Sequence, residues 1–244
     1  MTSPTVPVPY TTLVRQFRAA PPGKLYCMHG DAGVFRLSLY MAAQGLLNGI
    51  PITLVDGTNR FDAYYIAEFA RACAAQDHGR NVTPQQMLDN IFIARAFTCY
   101  QMEATITERL APFVRSKGSP VVIIFGLLDT FYDEQAPLFE VKAGLQRVIT
   151  ALNDLKHQQV SLLLASRDIT LEVPERNTLF PRLLSAMDEV FSVNGEGRRI
   201  ISEGRGGMGR IVRHNPAQGG RTPTQPRKRT GMHGRQAPEN HLRY

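Results

Sequence analysis

The sequence predicts an α/β protein with a mostly parallel, doubly wound sheet and an antiparallel hairpin at its C-terminal end. Between residues 25 and 165, short apolar runs alternate with longer segments of helical periodicity, which is the pattern of βαβ units. The run 121–125 is continuously apolar and mostly β-branched, as expected for a strand covered on both faces. After Asp188, short apolar runs are separated by glycine-rich turns, which indicates antiparallel strands added to the sheet edge.

Each predicted element has its own signal. Strands are predicted where a few apolar residues lie together, and helices where apolar residues recur every three or four positions. The helix 138–157 is the clearest, because Leu138, Val141, Leu145 and Val148 share one face. In chain order the predicted elements are strand 25–29, helix 34–48, strand 51–56, helix 61–76, strand 91–97, helix 100–117, strand 121–125, helix 138–157 and strand 160–165, followed by short strands at 190–193, 199–201 and 210–212.

The positive charge of the chain is concentrated near its C-terminus. The full sequence carries 28 Lys and Arg against 21 Asp and Glu, a net charge of +7. Residues 205–244 hold nine of these basic side chains and one acidic side chain, so the rest of the chain is close to neutral. Composition therefore divides the chain into an N-terminal linker or docking segment (1–22), one core domain (23–214) and a basic tail (215–244) that we expect to be disordered.

The composition favours a cytoplasmic protein without a membrane span. No segment approaches the roughly 20 consecutive apolar residues of a transmembrane helix, and the N-terminus lacks the basic and apolar regions of a secretory signal. The three cysteines, Cys27, Cys73 and Cys99, are scattered among apolar residues. They predict buried thiols in a reducing compartment, with neither a disulfide framework nor a metal cluster.

The connection at Gly30 has the layout of a phosphate-binding loop without its chemistry. An apolar strand is followed by Gly30, by Gly33 and then by a helical pattern, whereas a working loop reads G-x-x-x-x-G-K-[ST]. Counted from Gly30, the second motif glycine is Phe35, the lysine is Arg36 and the hydroxyl residue is Leu37. The pattern is typical either of a nucleotide site that has lost its chemistry or of a tight turn from a strand to a helix.

Four further segments stand in an informative order and spacing. Residues 87–97 read Met-Leu-Asp-Asn-Ile-Phe-Ile-Ala-Arg-Ala-Phe, and residues 55–61 read Val-Asp-Gly-Thr-Asn-Arg-Phe. The runs 121–125 and 162–167 are two further buried strands. Together these segments resemble the RecA/RadA family of recombinase ATPase cores, whose archaeal and eukaryotic members have an LDN-(x)₃-AR-A segment before the third core strand. The resemblance covers about residues 23–214.

The resemblance implies a RecA-like P-loop NTPase fold with ATP as a possible ligand. The residues that it would place at the nucleotide are Gly30, Asp31, Gly33, Arg36 and Ser38.

Four groups that the family uses for phosphoryl transfer are missing. The loop lysine and hydroxyl are absent, and Asp56-Gly57-Thr58 contains no glutamate where the family has one. Phe125 stands where an aspartate would end the Walker B strand, and Asp129 comes four residues too late. Phosphoryl transfer depends on charge stabilisation and metal positioning, so we expect neither efficient ATP hydrolysis nor a required cofactor.

Two segments outside the core predict partners. Phe17-Arg18-Ala19-Ala20 has the Phe-x-x-Ala form that recombinase subunits use to dock on a neighbour, which makes Phe17 and Ala20 candidate contacts with a RecA/RadA-like protein or a second copy. A short surface helix is the alternative interpretation. The candidate contacts of the tail with single- or double-stranded DNA are Arg221, Arg227, Lys228, Arg229 and Arg235. A solubilising tail is the alternative there.

These expectations combine into one hypothesis with two alternatives. The chain is predicted to be a non-catalytic RecA-like paralogue, an accessory subunit in DNA recombination or repair that touches DNA non-specifically through its tail. It could instead be a RecA-like nucleotide-binding ATPase with an unconventional site. A third possibility is a structural subunit of a RecA-like assembly that does not bind DNA.

Overall fold

One seven-stranded sheet organises the residues that the computed structural model describes, which are Phe17 and 22–76, 82–133, 135–168, 173–194 and 199–204. The strands are β1 (Leu25–Gly30), β2 (Ile52–Asp56), β3 (Ile91–Arg95), β4 (Val121–Phe125), β5 (Ser161–Arg167), β6 (Glu189–Asn194) and β7 (Arg199–Gly204). Their order across the sheet is β3-β2-β4-β5-β1-β6-β7. The pairs from β3 to β6 are parallel, and β7 is antiparallel to β6.

Helices cover both faces of this sheet. They are α1 (Gly33–Leu47), α2 (Ala63–Gln76), α3 (Pro84–Asp89), α4 (Cys99–Ala104), α5 (Leu110–Lys117), α6 (Leu127–Phe131), α7 (Leu138–His157) and α8 (Leu179–Leu184), with a π-helical turn at Thr105–Arg109 and a 3₁₀ helix at Pro174–Thr178. On β1, Leu25 and Cys27 face the core layer under α4 to α8, whereas Tyr26 and Met28 face the layer under α1 to α3. The prediction of a mostly parallel, doubly wound sheet with a C-terminal antiparallel pair is confirmed, and the arrangement is consistent with a P-loop-like α/β fold.

The predicted elements need several corrections. The helix predicted over 100–117 begins at Cys99 and contains the π turn, in which the Leu110 N–H donates to the carbonyl of Thr105. The short helices α3, α6 and α8 were not predicted from the sequence, because each has only five or six residues. Cys27 and Cys99 are buried thiols as predicted, but Cys73 is partly exposed. The strand predicted at 210–212 lies outside the described residues.

Parallel strands bring their carboxyl ends to one edge of the sheet, which is where open α/β sheets bind ligands. At this edge β1 ends at Gly30, β2 at Asp56, β4 at Phe125 and β5 at Arg167. The candidate site is therefore built from these ends and from the loops that follow them. Within the described residues, no helix has both the length and the apolar character needed to span a membrane.

Candidate functional site

The turn between β1 and α1 contains only Asp31 and Ala32. The Asp31 Oδ1 atom accepts a hydrogen bond from the Gly33 N–H at 2.8 Å, and the Asp31 carbonyl accepts one from the Val34 N–H at 3.2 Å. The turn thus places a carboxylate at the start of α1, where the helix dipole favours negative charge. In a phosphate-binding loop the ligand phosphate would take that place, so the chain already supplies the anion from its own side chain.

Gly30 is a glycine for a reason unrelated to phosphate. Its φ of +142° is open to glycine and rare for other residues, and a Cβ atom there would lie 1.8 Å from the carbonyl oxygen of Val193. The Asp31 N–H donates to this same carbonyl at 3.1 Å. Close approach of β6 therefore requires the glycine.

Aromatic rings fill the space behind the turn. Phe35, which stands at the second glycine of the motif, and Phe125, which stands at the Walker B acid, are both buried. Their ring centroids are 5.2 Å apart with the planes at 66°, which is an edge-to-face contact. The Arg60 guanidinium lies 6.0 Å from the Phe35 centroid. A packed apolar contact thus occupies the position where a metal-binding carboxylate would be needed.

The two remaining predicted nucleotide residues do not join the turn. Arg36 is exposed on α1 and its guanidinium lies 5.7 Å from the Tyr65 ring centroid on α2. Ser38 is buried, and its hydroxyl donates back to the Val34 carbonyl of the same helix at 2.8 Å. The structure therefore keeps Gly30, Asp31 and Gly33 together and separates them from Arg36 and Ser38.

A shallow polar pocket of about 330 Å³ lies beside the turn, between α1 and α2. The charged and aromatic side chains that line it are Phe35, Arg36, Arg60, Asp62, Tyr64, Tyr65 and Glu68. Two cations face two carboxylates, so the pocket carries no net charge that would attract a nucleotide strongly.

The Asp56 carboxylate, at the end of β2, is fully used by its own loop. The Oδ1 atom accepts from the N–H groups of Thr58 at 3.0 Å and Arg60 at 3.2 Å, and the Oδ2 atom accepts from the Phe61 N–H at 2.9 Å. The residue is completely buried. This acid holds the loop 57–61 in place and is not free to orient a water molecule.

The loops after β2 and β4 lie against each other without room for a ligand. Gly126 has a φ of +59°, and a Cβ atom on it would lie 2.0 Å from the Thr58 Cγ2 atom and 2.9 Å from the Asp129 Oδ2 atom. Asp129 instead approaches Arg167, with 3.8 Å between Oδ1 and the guanidinium. Burial raises the pKa of Asp129 above its ordinary value, although the positive charge of Arg167 acts in the opposite direction.

His29 is a hydrogen-bonded histidine near the end of β1. Its Nδ1 atom lies 2.8 Å from an Asp168 oxygen, its Nε2 atom lies 3.2 Å from Glu203, and Phe180 packs edge-on against the ring. Burial lowers the pKa of His29, but the hydrogen bond to Asp168 and the charges of Asp168 and Glu203 outweigh burial, so the net shift is upward. The cluster links β1 to β7 and to Asp168, the residue after β5, and of the two ring nitrogens only Nδ1 has a hydrogen-bond partner among the described residues.

Only part of the predicted partner contacts can be located. Phe17 lies half-buried on the core of its own chain, with its ring centroid 4.9 Å from that of Tyr26. Ala20 and the tail residues Arg221, Arg227, Lys228, Arg229 and Arg235 lie outside the described residues. Docking through Phe17 and Ala20 and DNA contact through the tail stay predictions.

One buried cation was missed from the sequence. Arg176 lies on the 3₁₀ helix and is almost completely buried; its guanidinium donates to the carbonyls of Phe131 and Ala136. It joins the loops after β5 and β4 at the same edge of the sheet. The sequence shows only a charged residue in a polar stretch, with no signal that separates it from a surface arginine.

Comparison with known proteins does not identify a family for this chain. No protein-family model matches the chain, and no curated protein matches it either.

Proposed function

We propose that this chain is a non-catalytic RecA-like paralogue that acts as an accessory subunit in DNA recombination or repair. The observation that carries the proposal is the two-residue turn after β1, in which the Asp31 carboxylate accepts from the Gly33 N–H. A nucleotide phosphate would have to displace this carboxylate from the start of α1 and would meet its negative charge. The order of the core segments supports the family, and the geometry of the turn supports the loss of its chemistry.

The packing behind the turn supports the same proposal. Phosphoryl transfer needs a metal held near the phosphates, and the Phe35 and Phe125 rings fill the corresponding space. Asp56 is engaged by three backbone N–H groups, and Asp129 faces Arg167. Asp56 therefore serves the fold, whereas the buried Oδ2 atom of Asp129 has no hydrogen-bond partner among the described residues.

An exposed aromatic patch supports the role of a subunit. Phe97, Tyr100 and Phe139 are 58%, 52% and 72% exposed, and the Tyr100 hydroxyl donates to Glu140 at 2.6 Å, which brings the start of α4 to the start of α7. Exposed apolar groups that cluster in this way mark protein interfaces more often than scattered ones do. We therefore assign the partner contact of the accessory subunit to this patch as well as to the N-terminal segment.

Thermal unfolding with Mg²⁺ and ATP tests the loss of the nucleotide site. A ligand that binds only the folded state raises the melting temperature with concentration, so we expect no shift up to millimolar ATP. The alternative, an unconventional nucleotide binder, would depend on Arg36 and Arg60 in the polar pocket. A shift that Arg36→Ala abolishes and Arg71→Ala preserves would establish that alternative, since Arg71 is exposed on α2 outside the pocket.

Salt-dependent binding to single-stranded DNA tests the role of the tail. Replacing Arg227, Lys228 and Arg229 by alanine removes three phosphate contacts, so we expect the slope of log affinity against log salt to fall by about 2. The measurement is fluorescence anisotropy of a labelled oligonucleotide over a salt series.

The matched control removes three exposed arginines from the core domain. These are Arg71, Arg109 and Arg182, and their alanine variant lowers the net charge by the same amount. If the slope of log affinity against log salt fell equally in both variants, the tail would contribute only its net charge and no specific phosphate contacts. If the unmodified chain did not bind DNA at low salt, the DNA role would be contradicted. The alternative of a structural subunit that does not bind DNA would then be favoured.

A further inference from the structure

His29 is buried near the end of β1, an interior strand that lies between β5 and β6. Its register neighbours on these two strands are Ser166 and Ser192, which are also buried and carry no charge. The ring of Phe180, on α8, packs edge-on against the imidazole with 5.2 Å between the ring centroids. Neutral groups therefore lie beside the ring on both neighbouring strands and on the helix that covers it.

Two carboxylates reach this ring from outside β1. The Asp168 Oδ1 atom, directly after β5, lies 2.8 Å from Nδ1, and the Glu203 Oε1 atom, on β7, lies 3.2 Å from Nε2. Within the described sheet, β7 is an edge strand that pairs with β6 alone. The contact with Glu203 therefore reaches across β6 and joins the edge strand to the interior of the sheet.

The other ionisable groups around the ring are neutral or have partners of their own. Cys27 on β1 and Tyr132 after α6 stay protonated at neutral pH, because burial raises the pKa of both, that of Tyr132 to about 12. The cations on the neighbouring elements are Arg167, which lies 3.8 Å from Asp129, Arg176, which donates to the Phe131 and Ala136 carbonyls, and Arg182, which donates to Gln146. Within the described residues, the charges that act on His29 are those of Asp168 and Glu203.

An imidazole can satisfy both carboxylates only when it is protonated. The neutral ring has one N–H donor and one nitrogen lone pair, whereas the charged ring has two donors. If the donor of a neutral His29 serves Asp168 at 2.8 Å, the lone pair of Nε2 faces the Glu203 oxygen and repels it. In this geometry Nε2 has no hydrogen-bond partner among the described residues, so the charge of the ring is what attracts Glu203.

We propose that His29 forms a proton-dependent latch with Asp168 and Glu203, which fastens the edge strand β7 to the interior of the sheet. The charged ring attracts both carboxylates and keeps β7 closed. Loss of the proton releases Glu203, so β7 is then held by its backbone pairing with β6 and opens more often. This proposal does not depend on the proposed function, since it involves neither a nucleotide nor DNA.

The direction of the pH dependence follows from the same contacts. Burial lowers the pKa of His29, but the hydrogen bond to Asp168 and the charges of Asp168 and Glu203 raise it above its ordinary value of 6.5. When β7 opens, Glu203 leaves the ring and its contribution to this shift is lost. A group whose pKa is higher in the closed state stabilises that state at low pH, and the stabilisation is lost as the pH rises through the raised pKa. We therefore expect β7 to be held most firmly below pH 6.5 and to loosen as the pH rises above it.

Hydrogen exchange of the backbone amides, measured by NMR on the full chain, tests the latch. Protection factors, which are corrected for the intrinsic pH dependence of exchange, are compared at about pH 6 and about pH 8.5. We expect the protection of β7 to fall by about three- to tenfold over this range. Protection of β3, the edge strand at the far side of the described sheet, should stay constant. Constant protection of β7, or an equal fall in β3, would overturn the proposal.

Three variants assign the effect to the latch. Glu203→Gln keeps the shape of the side chain without its charge, so the fall in the protection of β7 should disappear. Asp168→Asn removes one of the two charges that raise the pKa of His29, so the fall should move to lower pH. His157→Gln is the matched control, because it removes an exposed histidine of α7 and should leave the fall unchanged. A fall that persisted in Glu203→Gln, or that disappeared in His157→Gln, would contradict the latch.

Discussion

Replacing Phe125 by alanine is expected to lower the free energy of unfolding by about 3 to 5 kcal/mol. Phe125 is completely buried at the end of β4, an interior strand of the sheet, and its ring packs edge-to-face against that of Phe35. The change removes the ring from the core and leaves a cavity between β4 and α1 that the surrounding helices cannot fill. Urea denaturation followed by circular dichroism measures the loss.

Phe139→Ala is the matched control for this prediction. Phe139 is 72% exposed on α7, so the same chemical change should alter stability by no more than about 0.5 kcal/mol. Equal losses for the two phenylalanines would mean that the ring pair is not part of the core, and the argument that rings have replaced the metal site would fail.

The aspartate variant at the same position extends the prediction to function. Phe125→Asp places an acid where a Walker B carboxylate would stand, but it does so inside a packed aromatic contact. Because an unpaired buried charge costs more than a cavity of the same size, we expect a larger loss than for alanine and no recovery on adding Mg²⁺. Recovery with Mg²⁺ would show that a metal can still enter this edge of the sheet.

The fold could be predicted where periodicity is strong. The strand 121–125 and the helix 138–157 were located to the residue, because long apolar patterns are decisive and both elements are buried. Helix α3 was missed although Thr83 and Gln86 form a capping box that is visible in the sequence. Short helices at strand ends depend on tertiary packing, and their own sequences carry little signal.

The candidate site could be predicted only in part. The absence of the lysine, the hydroxyl and the acids of a phosphate-binding site is visible in the sequence, and the loss of nucleotide chemistry that it implies stays a prediction. The roles of Asp31 and Gly30 could not, since one depends on a turn of two residues and the other on the approach of Val193 from β6. Arg176 shows the same limit, because its acceptors lie 40 or more residues away along the chain.

The Asp56 carboxylate makes a second large effect predictable. Asp56→Ala is expected to lower the free energy of unfolding by about 3 to 5 kcal/mol, because it leaves several backbone N–H groups of a buried loop without an acceptor. The donors are the N–H groups of Thr58, Arg60 and Phe61, together with the Thr58 hydroxyl at 3.2 Å. Thermal and urea unfolding of the variant measure the loss.

Two variants make this prediction specific. Asp89→Ala removes an exposed carboxylate whose one hydrogen bond within the described part of the chain comes from the Gln85 side chain, and it should change stability by less than about 0.5 kcal/mol. Asp56→Asn retains one acceptor oxygen, so we expect a loss between those of the alanine variant and the unmodified chain. An asparagine variant as stable as the unmodified chain would show that the second oxygen, which accepts from Phe61, contributes nothing.

The Asp56→Ala change should also alter the candidate site, because Asp56 holds the loop that packs against it. The loop 57–61 carries Arg60, whose guanidinium lies against the Phe35 ring, and Thr58, whose methyl group lies against Gly126. Loosening the loop would therefore open the edge of the sheet where a nucleotide would bind. If Asp56→Ala unfolded at a much lower temperature and still gained no stability from ATP, Asp56 would have a structural role and this edge of the sheet would not bind nucleotide. If the variant gained stability from ATP, the packed loop itself would be what excludes the nucleotide.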